Sequence, residues 1–202
     1  MNKAKNAHEG VHVHESAYVD DGVSIGEGTK IWHFVHVLSG TTIGKNCSLG
    51  QNVMAGPDVS IGDGCKVQNN VSLYKGVRLG NYVFCGPSCV FTNVNTPRAA
   101  INRMEEIGET PVGDHATIGA NATIVCGHRI GQYCLIAAGA VITKDVQDFA
   151  LMAGVPAKRI GWVSRAGEVL EDDLICPRTG ETYREVGGKL EIANKTEDVG
   201  LD

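Results

Sequence analysis

The sequence predicts an all-β solenoid: a prism of short stacked β segments with one extruded loop and a small β-rich C-terminal cap. Three observations predict it. An apolar residue recurs at every sixth place, a small or β-branched residue stands two places before it, and glycine favours the place after it. The apolar series runs Val13, Val19, Ile25, Ile31, Val37, Ile43, Leu49, Ala55, Ile61, Val67, Leu73, Leu79, Cys85, Phe91 without a slip. It resumes at Val112, Ile118, Ile124, Ile130, Ile136 and Ile142, so twenty hexads keep the rule.

A period of six fits neither the 3.6-residue turn of an α-helix nor a hairpin sheet with loops of variable length. It suits short β segments joined by tight corners, three to a coil of about 18 residues, as in other repeat-built solenoids. The aliphatic residue of each hexad then faces the axis, where burial contributes roughly 1.5–3 kcal/mol. Glycine and Asn/Asp at the corners accept φ > 0, which other residues resist. Because each coil is stabilised by its neighbours, the ends need caps. The expected divisions are a lead-in over 1–12, the prism over 13–147 with a loop over 92–111, and a cap and tail over 148–202. Within the tail, Leu174 to Tyr183 and Lys189 to Ile192 read as short strands around turns at Thr179-Gly180 and Gly187-Gly188. The last eight residues, being polar, are expected to be disordered.

The cysteines follow from the same register. Cys47, Cys65, Cys89 and Cys134 occupy the small inward place and Cys85 the aliphatic one, where a free thiol acts as a small hydrophobe. Cys126 falls off the inward places and is expected at the surface. His128 falls on one and is expected to be buried and hydrogen-bonded. Cys176 lies in the tail beside Pro177. Seven cysteines is an odd number, and no Cys-x-x-Cys pair occurs. A disulfide framework or two-pair zinc site is therefore unsupported, and no spacing of His and carboxylates requires a metal.

Composition excludes several classes. Eighteen basic against 23 acidic residues give a net charge of −5, and only 11 of 202 residues are aromatic. That argues against a nucleic-acid footprint and against base stacking. No apolar run approaches the ~18 residues that span a bilayer. The polar start lacks the apolar core of a signal peptide. A cytoplasmic chain with neither nucleic-acid partner nor membrane insertion is expected.

Val112 follows Phe91 by 21 places where 6 would keep phase, so about 15 residues are inserted. Long loops in compact folds are usually functional; a tolerated surface insertion is the other reading. Asn93 enters this loop, and Arg98 and Arg103 lie on it. The two arginines suit a carboxylate or diphosphate through charge-assisted hydrogen bonds, or are solvated loop charges. Gln51, Asn52, Gln68, Asn69 and Asn70 form an amide cluster one coil apart. They read either as stacked corner amides or as a surface for a sugar or a base. His33 and His36 stand outside the inward places beside Trp32, where a substrate or subunit contact is expected; His115 reads as a corner residue.

Several strings narrow the reading: Ile31-Trp32-His33-Phe34-Val35-His36-Val37, Gly50-Gln51-Asn52-Val53, Val67-Gln68-Asn69-Asn70-Val71-Ser72, Cys85 to Asn93 followed by Pro97-Arg98-Ala99, and Gly154 to Trp162. With the hexads they resemble the hexapeptide-repeat acyltransferases. Within these they are similar to the nucleotide-sugar 3-amino N-acetyltransferases, above all those acting on UDP-2-acetamido-3-amino-2,3-dideoxyglucuronate in bacterial O-antigen and lipopolysaccharide synthesis. The likeness runs from about residue 10 to 185. It implies a left-handed parallel β-helix, acetyl-CoA as donor, and a homotrimer with sites between subunits; no metal is expected, on the spacing given above.

The resemblance also implies residue roles. Asn93 would meet the acceptor amine, with a corner asparagine satisfying its own backbone as the alternative. Ala120, Ala138 and Gly139 would let the pantetheine arm run along the backbone, although they fit packed corners equally well. Lys158 and Arg159 would contact CoA phosphates, or are exposed cap charges. Gln51, Asn52, Asn69, Asn70, His33, His36, Arg98 and Arg103 are the substrate-binding candidates. Relatives that acylate hydroxyls carry a general-base histidine at the loop, whereas no histidine lies between 37 and 114 here. A hydroxyl must lose its proton during attack, but a neutral amine can lose it afterwards, so N-acetyl transfer is expected over O-acetyl transfer. A dTDP-3-amino-deoxyhexose is the alternative acceptor. A silent solenoid scaffold is the rival of another class, since fold alone does not establish function.

Overall fold

In the computed structural model, which describes residues 10–194, the hexads build a three-sided parallel β-prism. Two-residue strands stack into three sheets, here called faces A, B and C. Face A rises from His12–Val13 through Lys30–Ile31, Ser48–Leu49, Lys66–Val67, Phe84–Cys85, Thr117–Ile118 and Leu135–Ile136 to Ala150–Gly154, eight parallel rungs in all. Face B runs from Tyr18–Val19 to Val141–Ile142, and face C from Ser24–Ile25 to Thr110–Val112. Face C continues upward only as single bridges from Val112 to Ile130 and from Ile130 to Val146. The architecture is the β-helix that the hexads predict.

Register explains the period. His12 pairs with Lys30 and Lys66 with Phe84, so each strand lies against the one three hexads further on, and three hexads make a coil. Across the loop Arg78 pairs with Pro111 and Phe84 with Thr117, so the rungs on either side meet directly and the whole insertion is left outside the prism. The inward residues, from Val19 to Val146, form one buried column. Val13 is the exception at 38% exposure, because it stands on the lowest described rung and has a neighbour on one side only.

Glycine serves the corners in two ways, only one of which concerns φ. Left-handed residues fall three places before the inward aliphatic and include Gly28, Gly40, Gly64, Asn46, Asn52, Asp58 and Asn70, but also Phe34, Tyr82, His115, Tyr133 and Phe149. The expectation that glycine, Asn and Asp supply these corners is therefore incomplete. The glycines just after the aliphatic residue answer a different need, close approach between coils. A Cβ on Gly44 would lie 2.3 Å from Asp63 Oδ1 and 2.7 Å from Asp63 N.

That approach lets side chains of one coil cap the backbone of the coil below. Lys45 N–H donates to Asp63 Oδ1 at 2.7 Å, Asp63 N–H to Asn81 Oδ1 at 2.9 Å, and Asn81 N–H to Asp114 Oδ1 at 2.7 Å. Along the same C/A corner the rings of Tyr82, His115, Tyr133 and Phe149 stack nearly parallel, with centroids 5.0, 4.6 and 5.2 Å apart. Tyr183 closes the stack edge-on at 5.8 Å.

Beyond the last rung, Ala150–Gly154 turns back as Ala157–Val163 in an antiparallel pair, and Val169–Leu170 adds to its edge. Thr182–Val186 and Lys189–Asn194 form a hairpin about Gly187-Gly188. The expected strand over Leu174 to Cys176 is absent; only Ile175 bridges to Thr182. Here the backbone turns through Leu174 at φ 53°, and the segment is held by a buried polar cluster instead. In it Arg165 pairs with Glu181 at 2.8 Å, Glu181 is 2% exposed, and the Tyr183 hydroxyl donates to Glu181. The expectation for residues 195–202 lies outside the described residues.

Candidate active site

The predicted residues fall on two edges of face B. At the A/B corner a ladder of backbone bonds climbs the prism. Asn52 N–H donates to His33 O, Asn70 N–H to Gln51 O, Ser88 N–H to Asn69 O, Asn121 N–H to Pro87 O, and Gly139 N–H to Ala120 O, all between 2.8 and 3.1 Å. His33, Gln51, Asn52, Asn69, Asn70, Ala120, Ala138 and Gly139 therefore share one edge, with the amides on lower coils than the small residues.

The amides do stack. Gln51 N–H donates to Asn69 Oδ1 at 2.9 Å and Asn52 Nδ2 to Asn70 Oδ1 at 3.0 Å. These contacts are the corner ladder, and Gln51, Asn52 and Asn70 remain exposed alongside it, with Asn69 also exposed. His33 is exposed and stacks on His14 with centroids 3.5 Å apart. Trp32 donates from Nε1 to Ser48 Oγ at 3.1 Å. His36 stands on face B, its Nε2 3.0 Å from Asp20 Oδ1. That hydrogen bond holds the Asp20 carboxyl below its ordinary range.

The B/C corner carries the loop. Asn93 follows Val90–Phe91 and is half-buried, and its carbonyl accepts from Gly108 N–H at 2.9 Å, which closes the loop's neck. Arg98 is exposed, with Nη1 donating to the Pro97 carbonyl at 3.2 Å. Arg103 Nη1 sits 2.9 and 2.8 Å from the two oxygens of Glu106, so its charge is paired inside the loop.

Two expectations fail just above the neck. Cys126 is buried at 1% exposure rather than lying at the surface. His128 is not buried: its side chain is 29% exposed, and its Nδ1 lies 3.5 Å from Asp145 Oδ1. The cause is local. Between Ile124 and Ile130 the chain forms no strand, only the two isolated bridges of Ile130 itself, so the small inward place of that hexad is lost and the loop neck covers Cys126 instead. The other five prism cysteines are buried as expected; burial, with the Asp148 charge adding to it, pushes the Cys134 thiol up to about 12.

Lys158 and Arg159 lie at the top of the B/C edge. With Thr143, Lys144, Asp145, Gln147, Ala150, Met152, Pro156 and Ala157 they line a groove of about 360 Å³. Arg159 also stacks 3.9 Å above the Trp162 ring and pairs with Glu185 at 3.6 Å. A basic rim on an open groove fits phosphate groups. Gly139 leaves open space, since an added Cβ would meet nothing within 4 Å, which fits a ligand arm lying against backbone. Among the described residues no group of three or more His, Cys, Asp or Glu is placed to hold a metal. No helix among them is long and apolar enough to cross a membrane.

Within one chain face B separates the two edges, so Asn93 and the amide ladder do not meet. Sequence reasoning missed Lys144, which lines the groove with Lys158, and it misplaced Cys126; a histidine at the small place of an unbroken series was the available signal for the latter.

Stacked hexads, one extruded loop and a basic groove at the end of the prism place the described residues in the class of hexad-repeat β-solenoids. Residues 22–57 and 40–75 match the bacterial transferase hexapeptide (six repeats) family, and residues 110–144 match the hexapeptide repeat of succinyl-transferase. The chain is 37% identical over 183 residues to the dTDP-3-amino-3,6-dideoxy-alpha-D-galactopyranose 3-N-acetyltransferase of Aneurinibacillus thermoaerophilus, covering 89% of this chain and 94% of that protein. It belongs to the hexapeptide-repeat acetyltransferase family. It is also 29% identical over 150 residues to the bifunctional protein GlmU of Nitratidesulfovibrio vulgaris (strain DP4); that match takes in 70% of this chain and 32% of GlmU, about a third of its length. Among solved structures it is similar to a hexapeptide-repeat-containing acetyltransferase of Vibrio cholerae O1 biovar eltor complexed with acetyl coenzyme A. There the TM-score is 0.55 at 25% identity, over 62% of this chain and 72% of that one.

Proposed function

We propose that the chain transfers acetyl from acetyl-CoA to the 3-amino group of a nucleotide-linked 3-amino sugar, in a homotrimer whose sites lie between subunits. The observation that carries the reading is the half-buried Asn93 at the neck of the one long loop, in a chain 37% identical to a 3-amino-sugar N-acetyltransferase. The Asn93 carboxamide oxygen accepts a hydrogen bond from the neutral amine and aims its lone pair at the thioester carbonyl, which supplies rate by positioning. The C–N bond forms, the C–S bond breaks, and CoA leaves as thiolate. The proton released from nitrogen passes to that thiolate or to water, so the enzyme needs no base at the loop.

The distribution of charge supports the trimer. The outward residues of face B are Tyr18, His36, Met54, Ser72, Val90, Thr123 and Val141, without a Lys, Arg, Asp or Glu. Face A presents Lys30 and Lys66, and face C presents Arg78. Three copies with face B toward a common axis form a closed heterologous ring. Each B/C edge, with Asn93, Lys144, Lys158 and Arg159, then meets the A/B edge of a second copy. Acceptor contacts come from its lower coils (His33, Gln51, Asn52, Asn69, Asn70), together with His36, Arg98 and Arg103. The CoA arm runs past its upper coils (Ala120, Ala138, Gly139).

For the acceptor we favour UDP-2-acetamido-3-amino-2,3-dideoxyglucuronate, with Arg98 as the partner for its carboxylate and synthesis of O-antigen sugars in the cytoplasm as the setting. The Aneurinibacillus relative favours a second acceptor, a dTDP-3-amino-deoxyhexose. Thiol release from acetyl-CoA, measured against UDP- and dTDP-3-amino sugars and their 3-hydroxy counterparts, separates them. Turnover with amino acceptors alone, lost by about a hundredfold or more in Asn93→Ala, is the expected result. Turnover with a hydroxy sugar, or an unchanged rate in Asn93→Ala, overturns the mechanism.

A further inference from the structure

Asn93 and Cys126 occupy the same corner place one coil apart, because Phe91 pairs with Ile124 in face B. The residues equivalent to them on the coils below and above are Lys75 and Lys144, both exposed. Cys126 alone of these four is fully buried, and what buries it is the loop neck. Its N–H donates to Thr92 Oγ1 at 2.9 Å, and its Sγ lies 3.5 Å from Asn95 Oδ1, within reach of a weak S–H bond. Thr92 N–H is meanwhile held by the Ile124 carbonyl at 3.0 Å.

The returning limb of the loop rests on the same residue. Gly108, whose N–H holds the Asn93 carbonyl, would place a Cβ 3.2 Å from Cys126 Sγ and 3.0 Å from Gly127 N. Gly127 N–H in turn donates to the Glu109 carbonyl at 3.0 Å. The limb that enters beside Asn93 and the limb that returns beside it are thus both tied to one buried thiol residue and the glycine after it. A larger side chain at 126 would spread the limbs, and a smaller one would leave them unsupported.

We propose that Cys126 is a positioning residue for acetyl transfer, a latch that joins both limbs of the loop and fixes the direction in which the Asn93 carboxamide points; this rests on the role given to Asn93 above. Its contribution is to geometry at the reacting amine, where small misplacements cost rate steeply. Acetyl-CoA binding at the groove does not depend on it.

The test compares Cys126→Ala and Cys126→Ser with Cys134→Ala, which removes an equally buried thiol far from the loop. Steady-state kinetics use acetyl-CoA with the acceptor that the panel identifies, and hydrogen exchange follows the amides of 93–96 and 108. Cys126→Ala should lower kcat by about tenfold with KM for acetyl-CoA unchanged, and speed exchange at the neck. Cys126→Ser, which keeps a donor toward Asn95, should recover most of the rate. Cys134→Ala should lower Tm comparably and leave both kcat and neck exchange alone. The latch is refuted by unchanged neck exchange in Cys126→Ala, or by a kcat loss that Cys134→Ala reproduces. If Asn93→Ala keeps the full rate, the role of Asn93 fails, whereas the exchange measurement still reports on the latch.

Discussion

The small inward place hides a chemistry that apolar packing does not convey. Thr29 Oγ1 donates to the Gly44 carbonyl at 2.8 Å and accepts Cys47 N–H at 3.0 Å. One coil up, Cys47 Sγ reaches the Gly62 carbonyl at 3.1 Å, and a further coil up Cys65 Sγ reaches the Gly80 carbonyl, also at 3.1 Å. Each joins the carbonyl at the same relative place in the coil above, so these thiols continue what a threonine hydroxyl begins. Thr29→Val keeps the shape and strands a buried N–H and a buried C=O; it should cost roughly 1–3 kcal/mol, read as a fall in the urea midpoint at constant m-value. Burial of the cysteines was legible in the sequence because the register assigns their place. Their donor role was not, since it depends on a carbonyl one coil away. The misplacement of Cys126 and His128 has the same origin: the period describes regular rungs, and the rung above the loop is irregular.

Corners, the repeated element of this molecule, show a balance of comparable magnitudes. A bulky residue at positive φ costs roughly 1–2 kcal/mol, while an aromatic pair contributes about 0.5–1.5 kcal/mol beyond its burial. Tyr82, His115, Tyr133 and Phe149 bear the first and gain the second, each ring lying against the next. Gly64 is required below them, because a Cβ there would lie 2.4 Å from the Tyr82 ring. Within the stack, burial lowers the His115 pKa from 6.5, with the Arg165 charge adding to it and Asp114 opposing. A lowered folded pKa means that the unfolded chain takes up the proton first. The stabilisation from neutral His115 is therefore complete above pH 6.5 and is lost as pH falls through the folded value. His115→Phe should keep the stack and flatten this acid-side loss of stability, measured as Tm between pH 7.5 and 5. The sequence marked His115 as a corner residue, yet the ladder was hidden. Its members are unequally spaced along the chain, and Tyr82 meets His115 only because the loop between them is left outside the register.

At the scale of the whole molecule, the fold was readable because one period governs the prism over residues 13–147, the loop apart: a coil of three hexads assigns each side chain to the axis, a face or a corner. The same count divides the charge, leaving face B bare of Lys, Arg, Asp and Glu. If the proposed trimer forms through that face, Thr123→Arg should dissociate it and abolish turnover together, whereas Thr42→Arg on face C should do neither; light scattering beside the thiol assay checks both. Less of the candidate site was legible, because its residues lie on opposite edges of face B, which only the proposed trimer brings together. The loop leaves after Phe91 and returns at Thr110, and Arg78 still meets Pro111 as though nothing had intervened. Only the neck of the excursion packs on the prism, at Cys126 and Gly127; beyond it, selection can lengthen, shorten or rewrite the loop without renegotiating the core. On the function proposed above, such a chain diversifies its choice of acceptor while inheriting its donor machinery unchanged.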